Sequence, residues 1–301
     1  MKTLFSSLLF CFVSITIMAQ SPVNIKLNLE KNKEYKIRST TKQAIQQTAG
    51  GQQIAIDVLS SNVFSFKVLN QTNDQMDIAF KFDTLASKIS SAMFKRETNS
   101  AKPGSEPLEK IMNKMSAYKI VARISTAGKF IQFVNLNKYT DSVLFVLDSI
   151  PASKRDDARK QTDALLKESI LRSMIEPFFS YLPEKAVNVG ESWENSYLNA
   201  SANMSILTLN TFKLEGVENN LAKLSGTTEA ESMPSTDPAA KVTQELKGNL
   251  TLQSTIDLTT GLALKNNSKS HFEGVTKMMN GGTPTEIPMK IDGETETVMF
   301  K

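Results

Sequence analysis

Ser116-Ala117-Tyr118-Lys119 has the S-x-x-K spacing that sets a lysine one helical turn from a nucleophilic serine. That chemistry needs both side chains on one helix face. From Tyr118 the chain instead alternates, with Ile120, Ala122 and Ile124 apolar, which predicts a strand with Ser116 and Lys119 on opposite faces. The companion S-D-N and K-T-G motifs are absent. His271 is the single histidine, so a Ser-His-Asp triad would need it as base. Its neighbours Phe272 and Glu273 place it in another alternating run, which predicts an exposed strand residue. Zinc sites take several nitrogen or sulfur ligands, and this chain offers one histidine and one cysteine. Asp156-Asp157 lies in a charged helical run and reads as solvated. Gly281-Gly282, beside Thr283 and Pro284, reads as a loop rather than a phosphate cradle, and no D-x-D-x-D-G calcium loop occurs. The expectation is a non-enzymatic chain with no catalytic, cofactor-binding or metal-binding residues. The remaining enzymatic alternative is a metal-free hydrolase built on a carboxylate pair.

The first nineteen residues have a different purpose. Lys2 is followed by an apolar stretch from Leu4 to Met18, and Ala19 supplies a small residue before Gln20. This predicts a cleaved signal peptide over residues 1–19 and a periplasmic or extracellular mature chain. The stretch is short for a membrane span, which takes about 20 apolar residues. Cys11 lies inside it and follows Phe10, so lipid anchoring at a cysteine is not expected, and the mature chain has no thiol for a disulfide. The mature chain must therefore hold together through its core. The net charge is +4, with Lys and Arg scattered among Asp and Glu, so no nucleic-acid footprint appears. No second apolar stretch predicts a transmembrane segment.

Apolar residues recur with period two along most of the chain: Ile25, Leu27 and Leu29; Tyr35 and Ile37; Ile54, Ile56 and Val58; Phe64, Phe66 and Val68; Met76, Ile78, Phe80 and Phe82. Strands with one buried and one wet face predict antiparallel sheet. Gly50-Gly51, Asn70–Asp74, Ala127-Gly128 and Thr260-Gly261 read as turns. Asp292-Gly293 fits either a turn or a bulge, and Asn280–Pro288 reads as a loop. Between the strand-rich parts the period changes. Thr140 is placed to cap a short helix, Asp141–Ser149, and a longer helix is predicted from Lys154 to Tyr181. Val143, Leu144, Phe145, Val146 and Leu147 make the short helix apolar nearly all round. Enclosure in the core is one reading. The other is that Val143, Leu144, Val146 and Leu147 contact an apolar ligand.

The two strand-rich parts align. VFSFKVLNQTNDQMDIAFKFDTLA matches LNTFKLEGVENNLAKLSGTTEAES, and KIVARISTAGKFIQFVN matches TLQSTIDLTTGLALKNN, each a strand, a turn and a strand. The predicted fold is α+β: one large curved antiparallel β-sheet of two duplicated halves with a central helical insertion. A single β-rich domain fills residues 20–301, with a first half over 20–139, the insertion over 140–182 and a second half over 183–301. The Ala-Gln end of the signal peptide, the KNKEYK segment from Lys31 to Lys36 and YLPEKAVNVGESW from Tyr181 to Trp193 resemble an uncharacterised family of exported bacterial β-rich proteins with a V-x-V-G-x-S-W segment. That family carries no established activity, so the resemblance implies a fold and no site residues. The layout is also similar to lipoprotein-carrier folds, a curved sheet with helices in its concave side. Within the segment, Gly190 is read as a left-handed turn residue and Trp193 as a buried anchor. The function expected is an exported binder of a lipid or other apolar ligand. The alternative is a structural or protein-interaction component of the cell envelope.

Overall fold

The computed structural model describes residues 21–200, 204–233, 242–280 and 283–300, so the predicted signal peptide and its cleavage point lie outside the described residues. Twelve strands form one antiparallel sheet: β1 Glu34–Ala49, β2 Gln52–Gln71, β3 Gln75–Ser91, β4 Lys95–Asn99, β5 Lys119–Ser125, β6 Phe130–Phe133, β7 Ser192–Ala200, β8 Ser205–Glu218, β9 Leu221–Ser232, β10 Val242–Asp257, β11 Leu262–Asn280 and β12 Thr283–Phe300. Their order is β6-β5-β3-β2-β1-β12-β11-β10-β9-β8-β7, with β4 paired to β3 off this path. The meander runs in one direction from β7 to β12, and β1 beside β12 carries it on to β6. The sheet is open, with edges at β6 and β7.

The halves repeat in geometry. Tyr35 faces Phe66 across β1 and β2, ring centroids 5.4 Å apart, and Trp193 faces Phe212 across β7 and β8 at 5.9 Å. Ahead of each, a left-handed residue turns the chain onto the sheet. Asn32 (φ 66°) donates its N–H to the Val68 carbonyl, and Gly190 (φ 88°) donates to Leu214. Bulges also fall in the same aligned columns. The β2–β3 register slips between Val68 and Asn70, and β8–β9 slips between Leu214 and Gly216. The β5–β6 register slips between Arg123 and Ile124, and β10–β11 between Thr255 and Ile256. A bulge bends its strand and raises the local twist, so shared bulges give both halves the same curvature.

Residues 23–29 do not add a strand, despite their alternation. The segment runs extended across one end of the sheet with Ile25, Leu27 and Leu29 buried. Val23 exchanges backbone hydrogen bonds with Val187, the Leu27 N–H reaches the Thr126 carbonyl at 2.8 Å, and the Asn28 N–H reaches Thr260 at 2.9 Å. It thus ties the β5–β6 turn to the β10–β11 turn, which draws the flanks of the sheet together and closes that end.

Helices cover the concave side: α1 Pro107–Ala117, α2 Leu136–Leu144 leading into a 3-10 turn Phe145–Ser149, α3 Ala152–Leu165, α4 Glu168–Ser173 and a 3-10 turn Glu176–Phe178. α1 packs on β3 and β4, α2 on β5 and α4 on β7, so the layer spans the trough from flank to flank. α1 was not expected. It starts at a capping box of Glu106 and Glu109 with Pro107 in the first turn. α2 begins at Leu136, and Thr140 lies inside it rather than capping it. Its N-cap Asn135 is held by the sheet, accepting the Val121 N–H at 2.6 Å and donating to Lys119 O at 3.1 Å. The long helix expected over Lys154–Tyr181 is broken. Lys167 takes an extended conformation (ψ 137°), and this restart lets the adjacent Ile170 and Leu171 both enter the core. Of the loop expected over Asn280–Pro288, residues 283–288 belong to β12 and pair with β11, while 281–282 lie outside the described residues. Asp292-Gly293 is neither turn nor bulge. Both residues pair in register with β1 and β11, where β11 leaves Ser270 Oγ 2.5 Å from any Cβ placed on Gly293. Among the described residues no helix is long and apolar enough to cross a membrane.

Candidate functional site

Alternation along a strand sends every second residue to the concave side. On β1 these are Ile37, Ser39, Thr41 and Gln43; on β8, Ile206, Thr208, Asn210 and Phe212; on β11, Asn266, Ser268, Ser270 and Phe272; on β12, Thr295 and Thr297. With Met174, Phe178, Tyr181 and Tyr197 they enclose a cleft of about 460 Å³ between sheet and helices. None of its lining side chains carries a formal charge. The polar ones are small hydroxyls and amides that largely satisfy each other: Thr41 Oγ1 lies 2.9 Å from Thr295 Oγ1, Thr297 donates to Ser39 at 3.2 Å and Thr228 donates to Asn210 at 2.7 Å. Asn266 Oδ1 is buried there without a partner. Desolvation pushes the Tyr197 phenol up to about 12 and raises Tyr181 as well, so both stay neutral. Charges lie on the opposite strand face, as cross-strand pairs such as Lys265–Glu296, Lys269–Glu294 and Lys277–Glu245.

A second chamber of about 360 Å³ adjoins the cleft between β3, β4, α1 and α3. Leu85, Ile89, Leu108, Met112, Met115 and Leu165 make it apolar. Asn62 and Met174 line both spaces, so the chamber and the cleft lie against each other at that pair. Arg96 stands at its rim on β4, exposed and opposite Ile89 in the ladder. The two spaces are a neutral polar cleft and, beside it, an apolar chamber with one cation at its rim.

The residues singled out from sequence lie elsewhere. Val143 and Val146 are fully buried in the core, Leu147 is buried and Leu144 half-buried. Leu144 and Leu147 border a shallow outer groove shared with Asp141, Asp148, Arg155 and Arg159. None of the four lines the concave cleft. Ser116 ends α1 rather than standing in a strand. Its hydroxyl donates to Ser100 Oγ at 2.7 Å, and that oxygen also accepts the Leu85 N–H, while Lys119 is exposed at the start of β5. His271 is exposed, with Nδ1 2.7 Å from Asp292 and Nε2 3.4 Å from Glu273. Asp156 and Asp157 are exposed on α3. Among the described residues no three His, Cys, Asp or Glu side chains come together as a metal site. Trp193 is half-buried and packs against the core and Phe212, and its indole N–H donates to the Tyr181 carbonyl at 3.0 Å near the β7 edge. Sequence reasoning missed the cleft lining. The available signal was neutral polar residues in phase with the buried face, as in Ile37-x-Ser39-x-Thr41.

These features define a class: an open antiparallel meander, curved by paired bulges and bridged by helices over a neutral cleft. The chain belongs to the family described as "Family of unknown function (DUF6263)", whose model matches residues 73–263, from the β2–β3 turn into β11. No curated protein matches the sequence. Among solved structures, one of lipid–protein interactions in lipovitellin is similar in fold, with a TM-score of 0.50 and 10% identity over 91% of this chain. The chain spans about a quarter of that chain's length, 26%. An outer membrane channel from Pseudomonas putida F1 aligns at 9% identity over 91% of this chain and 97% of its own, with a TM-score of 0.25. A DUF1329 family protein from Desulfovibrio piger aligns at 11% identity over 88% and 84%, with a TM-score of 0.17.

Proposed function

We propose that this chain is an exported, non-catalytic protein that carries an amphiphilic apolar ligand in its concave cleft. The observation that carries this reading is the uncharged cleft with an apolar chamber beside it, inside a sheet whose charges lie on the other face. A volume of several hundred Å³ with an apolar wall and a few fixed polar groups is the usual form of a small-molecule site. The S-x-x-K serine is held in a structural hydrogen bond and the one histidine lies on an exposed strand face, which favours binding over catalysis. The fold likeness to lipovitellin, solved for its lipid–protein interactions, points the same way. Export rests on the Met1–Ala19 pattern. The test is fluorescence titration of the purified mature protein with the neutral apolar probe N-phenyl-1-naphthylamine. Saturable micromolar binding is expected, and the absence of saturable binding contradicts the reading.

A second reading, an envelope interaction component, draws on one feature. Leu198 pairs with Leu207 across β7 and β8, and with Leu209 they form an exposed apolar group on the charged face beside the open edge. Leu207→Lys would abolish an interaction made there and leave probe binding unchanged.

A further inference from the structure

We propose that the ligand is a single-chain amphipathic anion, with its alkyl chain in the methionine-lined chamber and its acidic head on Arg96. The inference rests on the binding reading above and names the ligand class. Three observations carry it. Among the described residues, Arg96 is the one charged residue lining either the cleft or the chamber. Its guanidinium has no carboxylate within ion-pair distance among the described residues, although its strand neighbourhood supplies Glu97. Glu97 lies opposite Lys88 in the β3–β4 ladder, and strand alternation sends it to the other face from Arg96. The chamber behind Arg96 is lined by Met112, Met115 and Met174 together with Leu85, Ile89 and Leu108. Methionine is unbranched and polarizable, so such a wall fits flexible chains of varied length. At about 360 Å³ the chamber lies near the lower end of small-molecule sites, which gives room for one chain rather than a two-chain lipid. The Arg96 fork matches the two oxygens of a carboxylate or phosphate.

The test is competition against bound N-phenyl-1-naphthylamine, using hexadecanol, palmitate, a single-chain lysophosphatidate and two-chain phosphatidate. In the native protein, palmitate or lysophosphatidate should displace the probe at up to about fivefold lower concentration than hexadecanol, the scale of one ion pair at an exposed site. Whichever of the two anions is stronger identifies the head group. Arg96→Gln should erase that advantage while leaving hexadecanol and the thermal midpoint unchanged, and Arg96→Lys should restore part of it. Equal displacement by alcohol and anions, an unchanged advantage in Arg96→Gln, or stronger displacement by two-chain phosphatidate would overturn the inference while leaving apolar binding intact. A protein that binds no probe at all overturns both the inference and the reading beneath it.

Discussion

The Tyr181 hydroxyl accepts the Ala263 N–H and donates to the Gly261 carbonyl, each at 2.9 Å, while the Tyr181 carbonyl accepts the Trp193 indole N–H. One residue thereby locks the end of the helical layer to β11 and to the start of β7. Tyr181→Phe keeps the ring and leaves a buried donor and acceptor unmade. Urea unfolding should show a loss of about 1–3 kcal/mol; an unchanged midpoint would show that the hydroxyl is not part of the lock. The single histidine gives a second test at this scale. The hydrogen bond to Asp292 raises the His271 pKa above its ordinary 6.5, with Glu273 adding to the rise. The bound, protonated form therefore stabilises the fold below about pH 6.5. That contribution disappears as pH climbs through the raised folded value. NMR titration of the lone imidazole should give a midpoint above 6.5 that falls toward it in Asp292→Asn. A midpoint at or below 6.5 in the native protein would contradict the Asp292 contact.

Turns at opposite ends of the sheet depend on glycine for different reasons. At Gly261 (φ 73°) a Cβ would sit 2.1 Å from the Lys26 carbonyl, in the segment that stitches the flanks. At Gly50 (φ 57°) nothing lies within 4 Å. Gly50→Ala should thus cost about 1 kcal/mol, the left-handed penalty alone, and Gly261→Ala at least about 2 kcal/mol through strain and a displaced segment. Equal losses in thermal unfolding would contradict that packing. The short apolar helical segment belongs here too. Leu147 is buried outside the cleft, so Leu147→Ala should cost about 2–5 kcal/mol without reducing probe affinity; a selective loss of binding would return that segment to the site. Most strands were legible because period-two alternation and Gly or Asn turns report directly on a half-buried sheet. The helical layer was less so. α1 repeats apolar residues at helical spacing, Leu108, Ile111, Met112 and Met115, but the run is short, follows a Pro/Gly loop and starts from a Glu106–Glu109 capping box rather than a Ser or Thr one. The break at Lys167 answers a packing demand from β7 that lies far along the chain. The site escaped because a search for function in apolar residues passes over a cleft walled by Ser, Thr and Asn. Those residues look like solvent-facing strand positions until the meander order shows which face they share.

Across the whole molecule, charge and neutrality are sorted onto opposite faces of one sheet. Ion pairs such as Lys265–Glu296 line the outer face, where each is exposed and contributes little to stability. The concave face passes from an apolar core at the stitched end to the polar belt of the cleft. Matching bulges give both halves their bend, and the helical layer spans the trough from β3 to β7. On the proposed reading, a bound amphiphile accounts for an interior that is polar yet uncharged. Ser268 faces the cleft from β11, and Ser268→Trp would fill it without removing a side-chain hydrogen bond. The decisive measurement is native mass spectrometry of the protein purified from the cells that make it, run beside the Ser268→Trp variant. The native protein should carry an added mass, released on activation as a single-chain amphiphile, and the variant should fold with that mass absent or strongly reduced. A native protein that flies bare, or a variant that carries the same adduct at the same occupancy, would contradict a ligand in the concave cleft.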